Sequence, residues 1–346
     1  MAKRGGGKRK IVNVAVIGAG GIATGAHLPS LAEMDDVRIV AVCDIIESRA
    51  RQQADKYGIA RVYTLYKEML AAENGKADAV FALVEPGNLF HVVWNCLDAG
   101  YPTFTEKPPG VTGYQCRSLA RKSAEAGRIL QVGFNRRHIP VVRRVKELMD
   151  KHTTVNQVEG CFYKFGSAAF DLGSVASFES DVIHAVDLVR WLAGGTAVRA
   201  ATVVGSSNEP VANRWSSVLR FDNGVTGIVK GNYQTGGRVH KVEAHGPGLS
   251  AYIDLGFGPA AANATLLVHE GAVRYSLAAR GAAGETIHHL DGIELAGSDA
   301  FHRYYGFYHE DRHFIDCLRA GKQPETSIHD AVKTFELCDM ITTSVV

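Results

Sequence analysis

Through the first third of the chain the apolar positions follow two alternating rhythms. Unbroken apolar runs over 12–17, 37–43, 77–84, 102–105 and 129–133 read as buried strands. Between them, apolar residues recur every three or four positions over 47–57, 66–72, 89–99 and 112–126, the spacing of helices with one buried face. Gly58 and Gly100 stand where two of these helices would end. Strand alternating with helix predicts a parallel sheet covered by helices. After Arg136 the texture changes. A helical stretch over 140–151 precedes strand-like runs over 155–165, 198–204, 215–221, 225–233 and 239–244, with Asp222-Asn223-Gly224 as a hairpin turn. A helix is expected over 181–192, and helical spacing returns over 304–320 and 327–344.

The first strand runs directly into Gly18-Ala19-Gly20-Gly21-Ile22-Ala23, the G-x-G-x-x-G/A spacing of a dinucleotide-binding turn. Gly18 permits the sharp turn, Gly20 omits a Cβ that would block a pyrophosphate, and Ala23 lets the next helix pack closely. A helix N-terminus there favours an anion. Asp44 ends the second strand about twenty residues later, where the ribose hydroxyls of NAD are expected. The organisation expected is an α/β Rossmann domain over 11–133, then an α+β domain over 134–346 with a mostly antiparallel open sheet and C-terminal helices. In such sheets ligands bind beyond the carboxyl ends of the strands, so Gly18 to Ala23, Asp44, Pro86 to Asn88, Glu106-Lys107 and Asn135-Arg136 are expected to converge on one crevice.

Composition narrows the class. The chain has 346 residues, 46% hydrophobic and 21% charged, which suits a packed globular protein. Its net charge of +2 conceals five basic residues among the first ten; the remaining 33 basic residues face 36 acidic ones. Residues 1–10 read as a disordered basic leader without the apolar core of a secretory signal, and not as a nucleic-acid-binding arm. No apolar run reaches the length of a membrane span. Six scattered cysteines without a C-x-x-C pair read as reduced thiols, so a cytoplasmic protein is expected.

Two elements offer chemistry. Lys107, between Glu106 and two prolines at a strand end, is placed to acidify a substrate hydroxyl or polarise a carbonyl. Asp181-x-x-His184-x-x-Asp187 opens an amphipathic helix, and a histidine oriented by a carboxylate is a natural acceptor of an alcohol proton. A rival reading is His309-Glu310-Asp311-Arg312-His313, which fits the H-E-x-x-H zinc spacing but lacks a third ligand fixed by spacing. No metal is expected, and His288-His289 reads as part of a loop.

Taken together these residues resemble the glucose-fructose oxidoreductase, inositol dehydrogenase and rhizopine-catabolism (Gfo/Idh/MocA) family of NAD(P)-dependent oxidoreductases. The resemblance runs from Ile11 over nearly the whole chain. It rests on Gly18 to Ala23, Val42-Cys43-Asp44, Pro86-Gly87-Asn88-Leu89-Phe90-His91, Glu106-Lys107-Pro108, Gly133-Phe134-Asn135-Arg136-Arg137, His184 to Leu192 and Phe314-Ile315-Asp316. It implies a cofactor site of Gly18, Gly20, Gly21, Ile22, Asp44, Asn88, His91, Glu106, Lys107, Asn135 and Arg136. It also implies catalysis by Lys107 and His184 with an acid. The family's aspartate lies four residues before the histidine; here Ser180 fills that slot and Asp181 follows. On a regular helix one position turns a side chain by about 100°, so Asp181 serves only if the segment before His184 is irregular.

The implied reaction is hydride transfer between the nicotinamide and a secondary hydroxyl or ketone of a sugar, sugar derivative or cyclitol. Asp44, with no basic residue at Ile45 or Ile46, points to NAD, although Arg49 leaves NADP open. A ketosugar or sugar-nucleotide reductase and a non-catalytic dinucleotide sensor are the alternatives. A homodimer or homotetramer is expected, with no nucleic-acid or membrane partner.

Overall fold

The computed structural model describes residues 10–168, 177–256, 262–269 and 285–346. Most of the basic leader lies outside the described residues. The chain forms two compact units, one of residues up to Gly110 with 117–133 and 310–328, the other of 111–116, 134–309 and 329–346.

The first unit is built on six parallel strands: β1 (Val12–Ile17), β2 (Val37–Cys43), β3 (Arg61–Tyr63), β4 (Ala79–Ala82), β5 (Thr103–Thr105) and β6 (Leu130–Val132). Their order is β3-β2-β1-β4-β5-β6. Every pair is parallel, so all six carboxyl ends share one edge, and the order reverses between β1 and β4. Helices α1 (Leu28–Ala32), α2 (Glu47–Tyr57), α3 (Tyr66–Ala72) and α4 (Pro86–Asp98) connect the strands, followed by α5 (Gly113–Ala126). The short β3 was not evident in the sequence, since its three residues are all half-exposed. The helix expected over 89–99 begins earlier, with Pro86 to Asn88 in the first turn of α4 and proline at a position that needs no amide hydrogen.

The second unit opens with α6 (Pro140–His152) and carries β7 (Gln157–Phe165), α7 (Ile183–Ala193), β8 (Ala197–Gly205), β9 (Arg214–Phe221), β10 (Thr226–Asn232) and β11 (Gln234–Gly246). The strands β12 (Leu249–Asp254), β13 (Asn263–His269) and β14 (Glu285–Asp291) complete an eight-stranded sheet ordered β14-β13-β12-β11-β7-β10-β9-β8. Only β7 and β10 run parallel; the other neighbours are antiparallel. Burial alternates strictly along β9, so the sheet has one packed and one open face. Gly160 on β7 lets α7 approach closely, because a Cβ there would lie 2.9 Å from Val189. The expectation of a loop at His288-His289 is wrong: both lie in β14, paired with β13 through Leu266 and Thr265.

Helices α8 (Gly292–Ala296), α9 (Phe301–Tyr304), α10 (Phe307–Ala320) and α11 (Ile328–Thr343) end the chain. In the first unit, Phe314 of α10 packs on Phe81 and Phe104, with ring centroids 5.4 and 5.9 Å away. Arg312 and Arg319 both bind Asp36, which holds that carboxyl down at about 2 against the opposing effect of burial. Among the described residues no helix is long and apolar enough to cross a membrane. All six cysteines are free, and five of them are buried.

Candidate active site

In the first unit the site begins where β1 ends. Gly18 has φ of +100°, and a Cβ on it would lie 2.3 Å from the carbonyl oxygen of Leu83, so no side chain fits. Its amide donates to the Cys43 carbonyl at 2.7 Å. Gly20 differs, because a Cβ there meets no atom within 4 Å. The protein itself does not require that glycine; a phosphate lying against the backbone would. Gly21 and Ile22 are exposed at the same turn, and Ala23 is fully buried beneath it. These residues fit a dinucleotide.

Asp44 does more than the sequence indicated. Its two carboxylate oxygens accept the amides of Ala19 and Ile46, both at 2.8 Å, which ties the glycine turn to the end of β2. Each oxygen keeps a second lone pair for a ribose hydroxyl. Beyond Asp44, Ile45 and Ile46 are exposed, with no cation between them. Asn88 and His91 are exposed near the start of α4, after β4.

Lys107 follows β5, half-buried, and its peptide bond to Pro108 is cis. Its amide donates to Glu106 Oε2 at 3.1 Å. Glu106 is in turn held by a residue the sequence did not single out. His27 is completely buried, with Nε2 3.1 Å from Glu106 Oε1 and Nδ1 2.8 Å from Asp311 Oδ1. Burial opposes a charge on the imidazole, but the two carboxylates outweigh it and raise its pKa to about 10. Glu106 shifts the other way: burial acts against its ionised form, yet His27 keeps the carboxyl below its ordinary range. An imidazolium between two carboxylates therefore anchors the Glu106-Lys107 corner. His27 closes a π-helical turn, Ala23–His27, directly after the glycine motif.

The same contacts bear on the zinc-like run. Asp311 is committed to His27, and His313 Nε2 accepts the Glu325 amide at 3.0 Å. Among the described residues no group of three or more histidine, cysteine or carboxylate side chains is placed to hold a metal.

In the second unit His184 lies in the first turn of α7, 2% exposed, edge-on to Phe134 at 6.1 Å. The segment before it is irregular: Phe178–Val182 is a π-helical turn. Asp181, within that turn, has Oδ2 bound by the Tyr233 hydroxyl at 2.8 Å and by Lys164 Nζ at 2.5 Å. Burial lowers the Lys164 pKa and raises that of Tyr233, the latter reinforced by Asp181. Ser180 is buried, its hydroxyl directed at the Ser177 carbonyl of its own turn. Asp187 is engaged elsewhere, bound by both arms of the buried Arg137 guanidinium and by Thr334. Asn135 bridges the Tyr305 carbonyl at 2.9 Å and Arg136 at 3.0 Å, and both residues are buried.

The first unit thus has the strand order, glycine turn and acidic strand end of a dinucleotide-binding domain. Residues 12–134 match the model of the oxidoreductase family with an NAD-binding Rossmann fold. Inositol 2-dehydrogenase of Salmonella typhimurium is 31% identical over 192 residues, 54% of this chain and 54% of the relative. D-glucoside 3-dehydrogenase of Escherichia coli is 34% identical over 138 residues, 39% and 38% of the two chains. The chain aligns with about half the length of the inositol dehydrogenases it matches. Over nearly its full length it shares the fold of a dehydrogenase from Chromobacterium violaceum, with TM-score 0.83, 21% identity and coverage of 97% and 96%. UDP-N-acetylglucosamine 3-dehydrogenase from Acidithiobacillus ferrooxidans shares it at TM-score 0.78 and 17% identity, covering 96% and 97%.

Proposed function

We propose that this chain is an NAD(P)-dependent oxidoreductase acting on a secondary hydroxyl, or the corresponding ketone, of a sugar, sugar derivative or cyclitol. The observation that carries this reading is the Glu106-Lys107 corner. A buried carboxylate locked by His27 fixes the backbone of a lysine at the carboxyl end of β5, in the unit that holds the glycine turn. The relatives named as dehydrogenases of inositol and of a glucoside support the substrate class.

When bound, the nicotinamide supplies the hydride acceptor or donor. Gly18, Gly20, Gly21 and Ile22 would hold the pyrophosphate and Asp44 the ribose, with Asn88, His91, Glu106, Lys107 and Asn135 completing the cofactor contacts. The two hydroxyl contacts of Asp44 favour NAD over NADP, since a carboxylate repels a 2′-phosphate. In oxidation His184 accepts the hydroxyl proton, and Lys107 donates a hydrogen bond that stabilises the developing alkoxide. Asp181 rather than Ser180 is the acid. The π-helical turn supplies the irregularity its displaced position requires, and its carboxylate is oriented by Tyr233 and Lys164. The same groups run the reaction in either direction. We place the enzyme in the cytoplasm, as a homodimer or homotetramer formed through the open face of the large sheet. That face carries Val198, Val203 and Val218, each more than half exposed.

The test is cofactor reduction followed at the nicotinamide absorbance with hexoses, inositols and sugar nucleotides, wild type beside His184→Ala and Lys107→Ala. Each variant is expected to lose about 10²- to 10⁴-fold in kcat while still binding NADH. Full turnover in either variant would remove that residue from the mechanism.

A further inference from the structure

Two consecutive arginines in the 3-10 turn Asn135–His138 are buried to similar degrees but neutralised very differently. Arg137 binds Asp187 through two nitrogens and Asp330 at 2.8 Å. Arg136, 6% exposed, makes one hydrogen bond, to the neutral Asn135 side chain. Its guanidinium otherwise sits over the rings of Phe162 and Tyr305, at 5.6 and 5.5 Å, and its buried Nε has no partner. No carboxylate among the described residues pairs with it. An uncompensated buried charge is costly, so its retention points to a counter-charge that arrives with a ligand.

The surroundings of Arg136 agree. His240 stacks flat on Phe162, with centroids 4.0 Å apart and planes 7° apart, and both ring nitrogens are buried without a partner. Burial, then Arg136 and Arg238, push its pKa down to about 2, so the ring is neutral and offers one donor and one acceptor. Arg136 and Arg238 also add to the burial that lowers the Lys164 pKa. Three cations are thus in electrostatic reach of one another, with Asp181, itself bound to Lys164, as the acid acting on them.

We propose that the substrate is anionic, a polyhydroxylated ring bearing a carboxylate or phosphate that Arg136 grips. Lys164 and Arg238 supply further positive potential, and His240 hydrogen-bonds a neighbouring hydroxyl. The inference rests on the dehydrogenase reading and narrows its substrate class, and it transfers Arg136 from the cofactor to the substrate. A guanidinium meets either oxyanion with two parallel N–H bonds, so the experiment distinguishes the two.

Glucuronate, galacturonate, glucose 6-phosphate and myo-inositol 1-phosphate are assayed against glucose, galactose and myo-inositol, with wild type, Arg136→Gln and Arg238→Gln. NADH affinity is measured in parallel by nicotinamide fluorescence. The expected result is that one charged class exceeds its neutral parents in kcat/KM. Arg136→Gln should then lower that value by about 10- to 100-fold, the size of one charge-assisted hydrogen bond, with NADH affinity unchanged. Equal or better use of the neutral parents, or a loss of NADH affinity in place of sugar selectivity, overturns the proposal. If no compound is turned over, the dehydrogenase reading fails on this panel and calorimetry on the NADH complex decides. Tighter binding of a charged compound than of its parent, lost in Arg136→Gln, sustains the anion site; equal binding overturns it. Should Arg136→Gln not fold, the exposed Arg238→Gln carries the test with a smaller loss, about 3- to 10-fold.

Discussion

At the scale of single residues, two glycines of one motif do different work. Gly18 is excluded from bearing a side chain by the protein itself, through its positive φ and the Leu83 carbonyl. Gly18→Ala is therefore expected to cost about 3 kcal/mol or more of stability. Gly20→Ala should melt within a degree or two of wild type yet lose NADH affinity at least tenfold, because only a ligand competes for that space. Thermal melts and fluorescence titration of the two variants check this, and equal melting temperatures for both would contradict it. The motif spacing made both glycines visible in the sequence. The second duty of Asp44, fastening Ala19 across 25 positions, was not visible, because a long-range bond to a backbone amide leaves no pattern in residue types. Arg136 was named as a candidate from its expected place beyond the carboxyl ends of the strands and from the family resemblance; that no carboxylate among the described residues pairs with it emerges only when the neighbours are assembled.

Among elements, each unit has a π-helical turn beside its candidate residues. Ala23–His27 ends with His27 buried between Asp311 and Glu106, and Phe178–Val182 contains Asp181. The sequence showed the one-residue offset of Asp181 but carried no marker for the wide turn that accommodates it. The sequence did not single out His27, because its partners lie 79 and 284 positions away. His27→Ala is expected to destabilise the protein by about 3–5 kcal/mol, since it leaves two buried carboxylates without their cation. The pH dependence has a definite sign. Folding raises the His27 pKa from 6.5 to about 10, so its contribution is complete below pH 6.5 and is lost as pH climbs toward 10. The wild type should lose melting temperature across that window, and His27→Gln should flatten that decline; an identical slope in both would exclude the imidazolium. Glu106 acts oppositely, its contribution present above its ordinary pKa and lost on acidification.

For the whole molecule, the parallel sheet was legible because its strands are continuous apolar runs punctuated by glycine. The last three strands of the large sheet were not. Their stretch is rich in glycine, alanine and histidine, and alternation on a sheet with one open face is easily masked by exposed residues such as Tyr252 and Ile287. The open face bears on assembly. If it is the subunit interface, Val218→Glu should shift the protein to a smaller species in light scattering and leave NADH affinity intact; an unchanged mass would place the interface elsewhere.

In the proposed reaction hydride passes between the carbinol carbon of a polyhydroxylated ring and the nicotinamide, a step that isotope transfer reads out. A substrate that reduces NAD is prepared with deuterium on the carbon to be oxidised, and the reduced cofactor is analysed by mass spectrometry. Wild type should place one deuterium in the NADH, and His184→Ala should form none. Reduced cofactor free of deuterium would contradict that reaction.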